Sequence, residues 1–162
     1  VTCLGRNHVL TENVCDLVRD SVLCWLATVD SSGCPNVSPK EMFVSFEENK
    51  LLIANIASPQ SVKNINSNPN VCVSFVHIFK QKGFKLTGKA QIIEESSARY
   101  DQLREELYSL GGRHFEIMSV IEVTINKVNP IIAPSYWLFP ETTESALEEQ
   151  AMQAYGVSRG NT

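Results

Sequence analysis

A mainly β domain with peripheral helices, its six strands wound antiparallel into a small barrel, is the fold this sequence predicts. Three observations predict it. Short apolar runs with period-two alternation recur along the chain, most cleanly over 120–128. Turn residues rather than long crossovers join most of them, as at Asp30-Ser31-Ser32-Gly33 and Glu47-Glu48-Asn49-Lys50. Only two segments with helical spacing fall between strands, which argues for a small barrel over a doubly wound sheet.

The elements follow in order. Thr11 reads as a helix N-cap, with Glu12 at the positive end and Val14, Leu17 and Val18 at helical spacing. The run "SVLCWLATV" (21–29) is the first strand. The second is "PNVSPKEMFVSF", in which Pro39 cannot donate to a ladder and so marks an edge or a bulge. Strand three covers 51–56. Ser58 then caps a short helix with Pro59 at its first position, and Asn68-Pro69 stops it. Strand four covers 71–79, with Val71, Val73 and Phe75 on one face. Gln81-Lys82-Gly83 turns the chain into strand five, 84–93. Ser96 reads as the N-cap of a longer helix to about Leu110, closed by Gly111-Gly112. Strand six covers 120–128 and breaks at Asn129-Pro130. An extended tail "IIAPSYWLFP" and a terminal helix over 144–155 complete the chain.

The 162 residues suit one domain, 1–162, with the barrel over about 20–130 and the tail and helix over 131–162. Roughly 70% of the unfolded surface is buried at this length, so the core needs no metal or disulfide staple. With 14 basic and 18 acidic residues the net charge is -4, which argues against nucleic acid as a partner. Lys80, Lys82, Lys85 and Lys89 read as a strand pair and its turn rather than a nucleic-acid stripe. Cys3, Cys15, Cys24, Cys34 and Cys72 include no C-x-x-C pair and read as free thiols of a reducing, cytoplasmic setting. Nothing at the N-terminus reads as a signal peptide, and no apolar run approaches the ~20 residues of a membrane span. His8 and His114 lack partners at metal spacing, so no metal is expected.

The stretch "ANIASPQSVKNINSNPNVCVSF" (54–75) raises the functional question. Ser58, Gln60, Ser61 and Lys63 crowd a strand-to-helix corner, where free backbone N–H groups and hydroxyls suit an anion. The same residues are also what a well-capped helix needs. Lys40 reads either as a cation for that corner or as a solvent-facing lysine on an edge strand. Gln60 reads equally as a solvated helix residue. Trp25 reads as core, and His77, alone in "SFVHIF", as a satisfied core or interface histidine.

Three stretches in this order, "LATVDSSGCPNVSPKEMFVSF", "SPQSVKNINSNPNVCVSF" and "QKGFKLTGKAQII", resemble the pyridoxamine 5'-phosphate oxidase-like family of FMN-binding split barrels. The first is similar to the family's strand, D-x-x-G turn and P-x-V-S-P. The second is similar to S/T-x-K/S-V-x-N-L-x-x-N-P-x-V, and the third to a strand with x-G-x-A. The likeness covers about residues 20–130. It implies a six-stranded antiparallel split β-barrel that binds FMN. Carried over, the phosphate falls to Ser38, Pro39 and Lys40 on the second strand and to Gln60, Ser61 and Lys63 at the corner. Ala54, Asn55 and Ile56 would lie along the isoalloxazine ring, and Lys85 matches a position that is often basic. Trp137 would stack on a flavin shared with a second subunit or simply anchor the tail. Relatives often carry Lys or Arg where this chain has Gln60 and Ser61, so the charge falls to Lys40 or Lys63. Late basic residues of the kind that hold pyridoxamine phosphate reduce here to Lys127 and Arg159.

The resemblance implies an FMN-dependent oxidoreductase acting on a small substrate, with a nicotinamide nucleotide as a candidate partner and a homodimer as the working unit. The cofactor would carry the redox chemistry, and no side chain reads as an acid, base or nucleophile. The alternatives are a non-catalytic flavin-binding or electron-transfer module, or a split barrel holding another ligand such as haem or a deazaflavin.

Overall fold

The computed structural model describes residues 9–110 and 112–160; Cys3, His8 and Gly111 lie outside the described residues. Helix α1 (Glu12–Asp20) leads into strands β1 (Cys24–Val29), β2 (Pro35–Lys40), β3 (Phe43–Phe46) and β4 (Lys50–Asn55). Helix α2 (Pro59–Ser67) is followed by β5 (Asn70–His77), β6 (Lys82–Glu94), α3 (Tyr100–Tyr108), β7 (Ser119–Ile132), α4 (Ser135–Leu138) and α5 (Glu144–Tyr155). All pairings are antiparallel, in the order β2-β1-β5-β6-β7-β4-β3.

The mainly β, antiparallel expectation holds, but six strands become seven and the barrel is not closed. The segment whose pattern predicts one second strand breaks at Glu41-Met42 into β2 and β3, which end up as the two opposite edges of the sheet. Met42 still accepts a backbone hydrogen bond from Ala54, 2.9 Å away, so the break is a bend rather than a loop. The sheet curls strongly. Phe43 on β3 meets Phe75 on β5 edge-on at 5.2 Å, although three strands separate them in the ladder. Gly88 sits at an irregularity in the β6–β7 pairing, where a Cβ would lie 2.0 Å from the Thr124 carbonyl oxygen. Only a residue without a side chain allows that approach.

Two apolar cores result. Inside the curl, Leu26, Phe43, Leu51, Ile53, Val73, Phe75, Leu86 and Val123 pack with Val14 and Val18 of α1 and Ile65 of α2. On the outer side of β4 and β7, Leu52, Ala54 and Val120 pack under Tyr100, Leu103 and Leu107 of α3. β4 is therefore buried on both faces, as its run of consecutive apolar residues suggests. Glu122, 1% exposed, faces this second layer. Arg99 donates to both of its oxygens at 3.2 and 2.6 Å, Gln91 donates at 2.5 Å, and Lys50 stands 3.6 Å away. Burial pushes the Glu122 carboxyl up, but Arg99, Gln91 and Lys50 together outweigh it and hold it below the ordinary glutamate value.

Other expectations move. α3 begins at Tyr100, after a turn through Ser97, rather than at Ser96. The chain turns over 78–81 rather than at Gln81-Lys82-Gly83, and Lys82 already opens β6. β7 runs through Pro130 to Ile132 instead of stopping at Asn129. Its β4 partner ends at Thr124, so Pro130 sits on a stretch with one open side, where a missing N–H breaks no ladder. The tail forms the short α4 rather than an extended strand, and Tyr136 Oη donates to the Lys80 carbonyl at 2.8 Å. Among the described residues no helix is long and apolar enough to cross a membrane.

Candidate functional site

Strand alternation decides what each residue of β2 can reach. Lys40 pairs with Cys24 and Ser38 with Leu26, so Lys40, Ser38 and Asn36 face the inside of the curl. Pro39 and Val37 face out. The edge position expected for Pro39 is what the ladder shows. α2 packs against β1, β2 and β6, and this brings its polar N-terminal turn onto the inward side chains of β2.

The contacts are specific. Ser38 Oγ and Ser61 Oγ are 3.1 Å apart, joining β2 to α2. Lys40 Nζ donates to Ser58 Oγ. Ser58 is the N-cap residue, but its hydroxyl accepts no helix N–H; its own N–H donates to Asn55 Oδ1 at 3.1 Å. Asn55 is held from its other end, where Nδ2 donates to Ser119 Oγ at 2.9 Å. The corner is thus braced by Asn55, and the Ser58 hydroxyl is spent on Lys40 instead of on capping. Pro59 has no N–H to offer, and the first intrahelical bond is Val62 N–H to the Ser58 carbonyl. Among the described residues no acceptor takes the N–H of Gln60 or Ser61. These are the orphan donors that make a helix start receptive to anions.

Lys40 is the electrostatic centre of the corner. It is 6% exposed, and among the described residues no carboxylate pairs with it. Burial pushes its ammonium below the ordinary lysine value, with Cys24 opposing. Burial likewise pushes the Cys24 thiol up to about 12, with Lys40 opposing. A buried cation without a counter-charge is costly, and a bound anion would offset that cost.

Beneath the corner lies a second polar tier. Asn64, 1% exposed, donates to Thr28 Oγ1 at 3.0 Å and accepts from Gln60 Nε2 at 2.7 Å. Asn36 donates to the same hydroxyl at 3.3 Å. Nothing in the sequence pattern marks Thr28, Asn36 or Ser119 as members of this corner. Asn64 stands at the Asn of the "S-V-K-N-I-N" stretch, so a signal for it was present in the motif.

The remaining candidates are scattered. Ala54 is buried under α3, and Ile56 packs against the same layer. Both ends of the Asn55 amide are engaged. Lys63 is exposed on α2. Lys85 pairs with Ser74, which pairs with Trp25, so it lies on the outer face, opposite Lys40. Trp137 is 66% exposed on α4. Trp25, expected in the core, is 48% exposed, because Cys24 and Leu26 take the inward positions of β1. The outer faces of β1, β2 and β5 therefore expose Trp25, Val37 and Val76 together. Cys15, Cys24, Cys34 and Cys72 are free.

A curled, helix-capped antiparallel sheet with a polar corner built on a buried lysine defines the class of protein. Residues 10–131 match the family model described as pyridoxamine 5'-phosphate oxidase, and the chain belongs to that family. No curated protein matches the chain. Among solved structures, HupZ of Group A Streptococcus is similar at 23% identity and TM-score 0.64, over 73% of this chain and 90% of that one. An FMN-binding protein of Syntrophomonas wolfei is similar at 13% identity and TM-score 0.66, over 76% and 87%. HutZ, the haem storage protein of Vibrio cholerae, is similar at 20% identity and TM-score 0.59, over 76% and 94%. At these identities the likeness is one of fold.

Proposed function

We propose that the chain binds FMN, with the phosphate held at the β2–α2 corner, and works as an FMN-dependent oxidoreductase on a small substrate. The observation that carries this reading is Lys40: a buried ammonium that meets no carboxylate among the described residues, set beside α2 N–H groups that meet no acceptor among them. A phosphate with about two negative charges would meet the ammonium, the Ser38, Ser58 and Ser61 hydroxyls and the Gln60 and Ser61 N–H groups. The family and the FMN-binding neighbour support it. FMN supplies hydride or electron transfer when bound. The chain's own part would be to fix the phosphate and so orient the ring. Asn55 braces the corner rather than offering a free amide to a ligand.

The scattered candidates support a homodimer as the working unit. Lys85 and Trp137 do not converge on the Lys40 corner of their own chain, so a flavin touching them would draw on two chains. The outward patch of Trp25, Val37 and Val76 is apolar surface that a second chain would cover.

The test is the visible spectrum of the purified protein, followed by titration of apoprotein with FMN and with riboflavin. Flavin bands are expected, with bleaching by a nicotinamide nucleotide and recolouring in air if the chain is an oxidoreductase. A bound flavin that no nicotinamide nucleotide reduces would favour an electron-transfer module. A haem spectrum without flavin would defeat the proposal.

A further inference from the structure

β3 ends the sheet on the edge opposite β2, and among the described residues no strand pairs with its outer side. The ladder shows which of its backbone groups are left over. Ala54 N–H donates to the Met42 carbonyl at 2.9 Å, so Met42 and Ala54 form a hydrogen-bonded pair. Antiparallel pairs alternate, so Val44 with Leu52 and Phe46 with Lys50 are bonded as well. Phe43 and Ser45 then turn their N–H and C=O groups away from β4. Among the described residues no acceptor takes those two N–H groups and no donor reaches those carbonyls.

This bare edge runs along a cleft of about 400 Å³. Phe43, Val44 and Ser45 all border it. Side chains of a strand alternate between faces, so three consecutive residues share one cavity only along the strand's edge. Val18 and Arg19 of α1 form one wall, and Leu110, just past α3, lines it too. A strand edge beside a helix, with apolar walls, is the geometry that accepts an extended peptide as an added strand. Phe43 and Ser45 offer two donors and two acceptors at the spacing of alternate peptide residues.

Charge decides what kind of segment fits. Glu41 borders the cleft before β3, and Glu47 follows β3 at its other end. Among the described residues no basic side chain pairs with Glu41. Arg19, the cation on the lining, is already answered by Asp16 at 2.8 Å and Asp20 at 3.3 Å. The edge is therefore acidic and favours a basic segment. A second copy is disfavoured twice. Its β3 edge carries the same walls, so two such edges cannot approach to hydrogen-bond distance. An antiparallel meeting about Val44 would also set Glu41 of one copy against Glu47 of the other. None of the cleft's lining belongs to the outer Trp25, Val37 and Val76 surface that a homodimer would cover.

We propose that the free edge of β3 takes up an extended, basic segment of a partner protein as an added antiparallel strand. Its backbone pairs with Phe43 and Ser45. Apolar side chains on the paired residues face Val18, which packs with Phe43 on that side. Basic side chains flank them and meet Glu41 and Glu47. The site shares no residue with the FMN corner.

The experiment uses the full chain and the fluorescence anisotropy of a dye-labelled, end-blocked peptide, Lys-Thr-Val-Thr-Val-Thr-Lys, whose lysines match the spacing of Glu41 and Glu47. Saturable binding is expected. Methylating the backbone nitrogens of both valines, which fall opposite Ser45 and Phe43, should weaken it roughly ten-fold or more, the worth of two hydrogen bonds. Replacing both lysines by glutamate should weaken it at least as much. Glu41→Gln should weaken the lysine peptide about 2–5-fold at low salt, and less at high salt. Ser45→Pro removes only a donor that faces the edge, so it should weaken binding and leave the β3–β4 ladder intact. No saturable binding, equal binding of the methylated or the glutamate peptide, or unchanged binding by Glu41→Gln would overturn the proposal. So would light scattering in which Ser45→Pro turns a dimer into a monomer, because a second copy would then hold the edge. Should Ser45→Pro fail to fold, the methylated and unmethylated peptides on the wild-type chain decide in its place.

Discussion

Two regions of this molecule bury a charge, and they do it differently. Glu122, on β7, is surrounded by Arg99, Gln91 and Lys50, and its carboxyl is held below the ordinary value despite burial. Lys40, on β2, meets a serine hydroxyl and, among the described residues, no carboxylate, and burial pushes its ammonium below the ordinary lysine value. The Glu122 site is balanced from within, which is what a structural ion cluster requires. The Lys40 site is left out of balance by one charge. A fold that keeps such a site carries a cost in the free protein that a bound anion would offset.

That contrast can be broken experimentally. The largest effect is expected at the balanced site. Arg99→Met should destabilise the protein by about 2–3 kcal/mol, because it strips two charged hydrogen bonds from a carboxylate that water cannot reach. Chemical denaturation measures it, and a change under about 0.5 kcal/mol would remove the structural role assigned here. Next comes ligand binding. Lys40→Ala with Ser61→Ala should weaken FMN by roughly ten-fold or more and leave riboflavin, which lacks the phosphate, nearly unchanged. Equal loss for both would point to damage of the fold.

Two smaller effects carry opposite signs. The folded Glu122 pKa is depressed, so its contribution to stability is present above the unfolded value and is lost as pH falls through the folded one. Glu122→Gln should therefore melt lower than wild type at pH 7, and the gap should close in acid, below the ordinary carboxylate range. The folded Lys40 pKa is also depressed, but a lysine is charged below its pKa, so here burial penalises the fold at neutral pH. Lys40→Met should raise the melting temperature of the apoprotein at pH 7, roughly 2–4 °C for each kcal/mol relieved. That gain should shrink as pH climbs toward the unfolded lysine value. Melting curves across pH test both, and a Lys40→Met apoprotein that melts lower would show that Lys40 is structural.

Much of this was legible along the chain because local chemistry dictated it. Pro39 lacks a donor and announced an edge. Pro59 and Asn68-Pro69 bracketed α2. Asp30 Oδ1 accepts the N–H of Ser32 and Cys34 at 2.8 and 2.9 Å and folds the turn its sequence implied. What stayed hidden depended on distant partners. At 40–44 polar Lys40-Glu41 gives way to consecutive apolar Met42, Phe43 and Val44, but that break does not say that the two halves end on opposite edges of the sheet. The run "SVLCWLATV" is apolar from Val22 to Ala27 and does not say which of Cys24 and Trp25 points inward. The Ser58 hydroxyl looked like a cap, but Asn55, three residues back, braces the corner and frees the hydroxyl for Lys40.

By itself the sequence determined the antiparallel plan, the turns and the set of polar groups available at the β2–α2 corner, because turn geometry, proline and hydrophobic period act over a few residues. Tertiary structure alone decided that the sheet curls without closing, that Lys85 and Trp25 face away from Lys40, and that among the described residues Lys40 is buried with no opposite charge while Glu122 is not. Strand alternation assigns residues to two faces, and only packing against segments dozens of residues away decides which face loses water and what charges meet there.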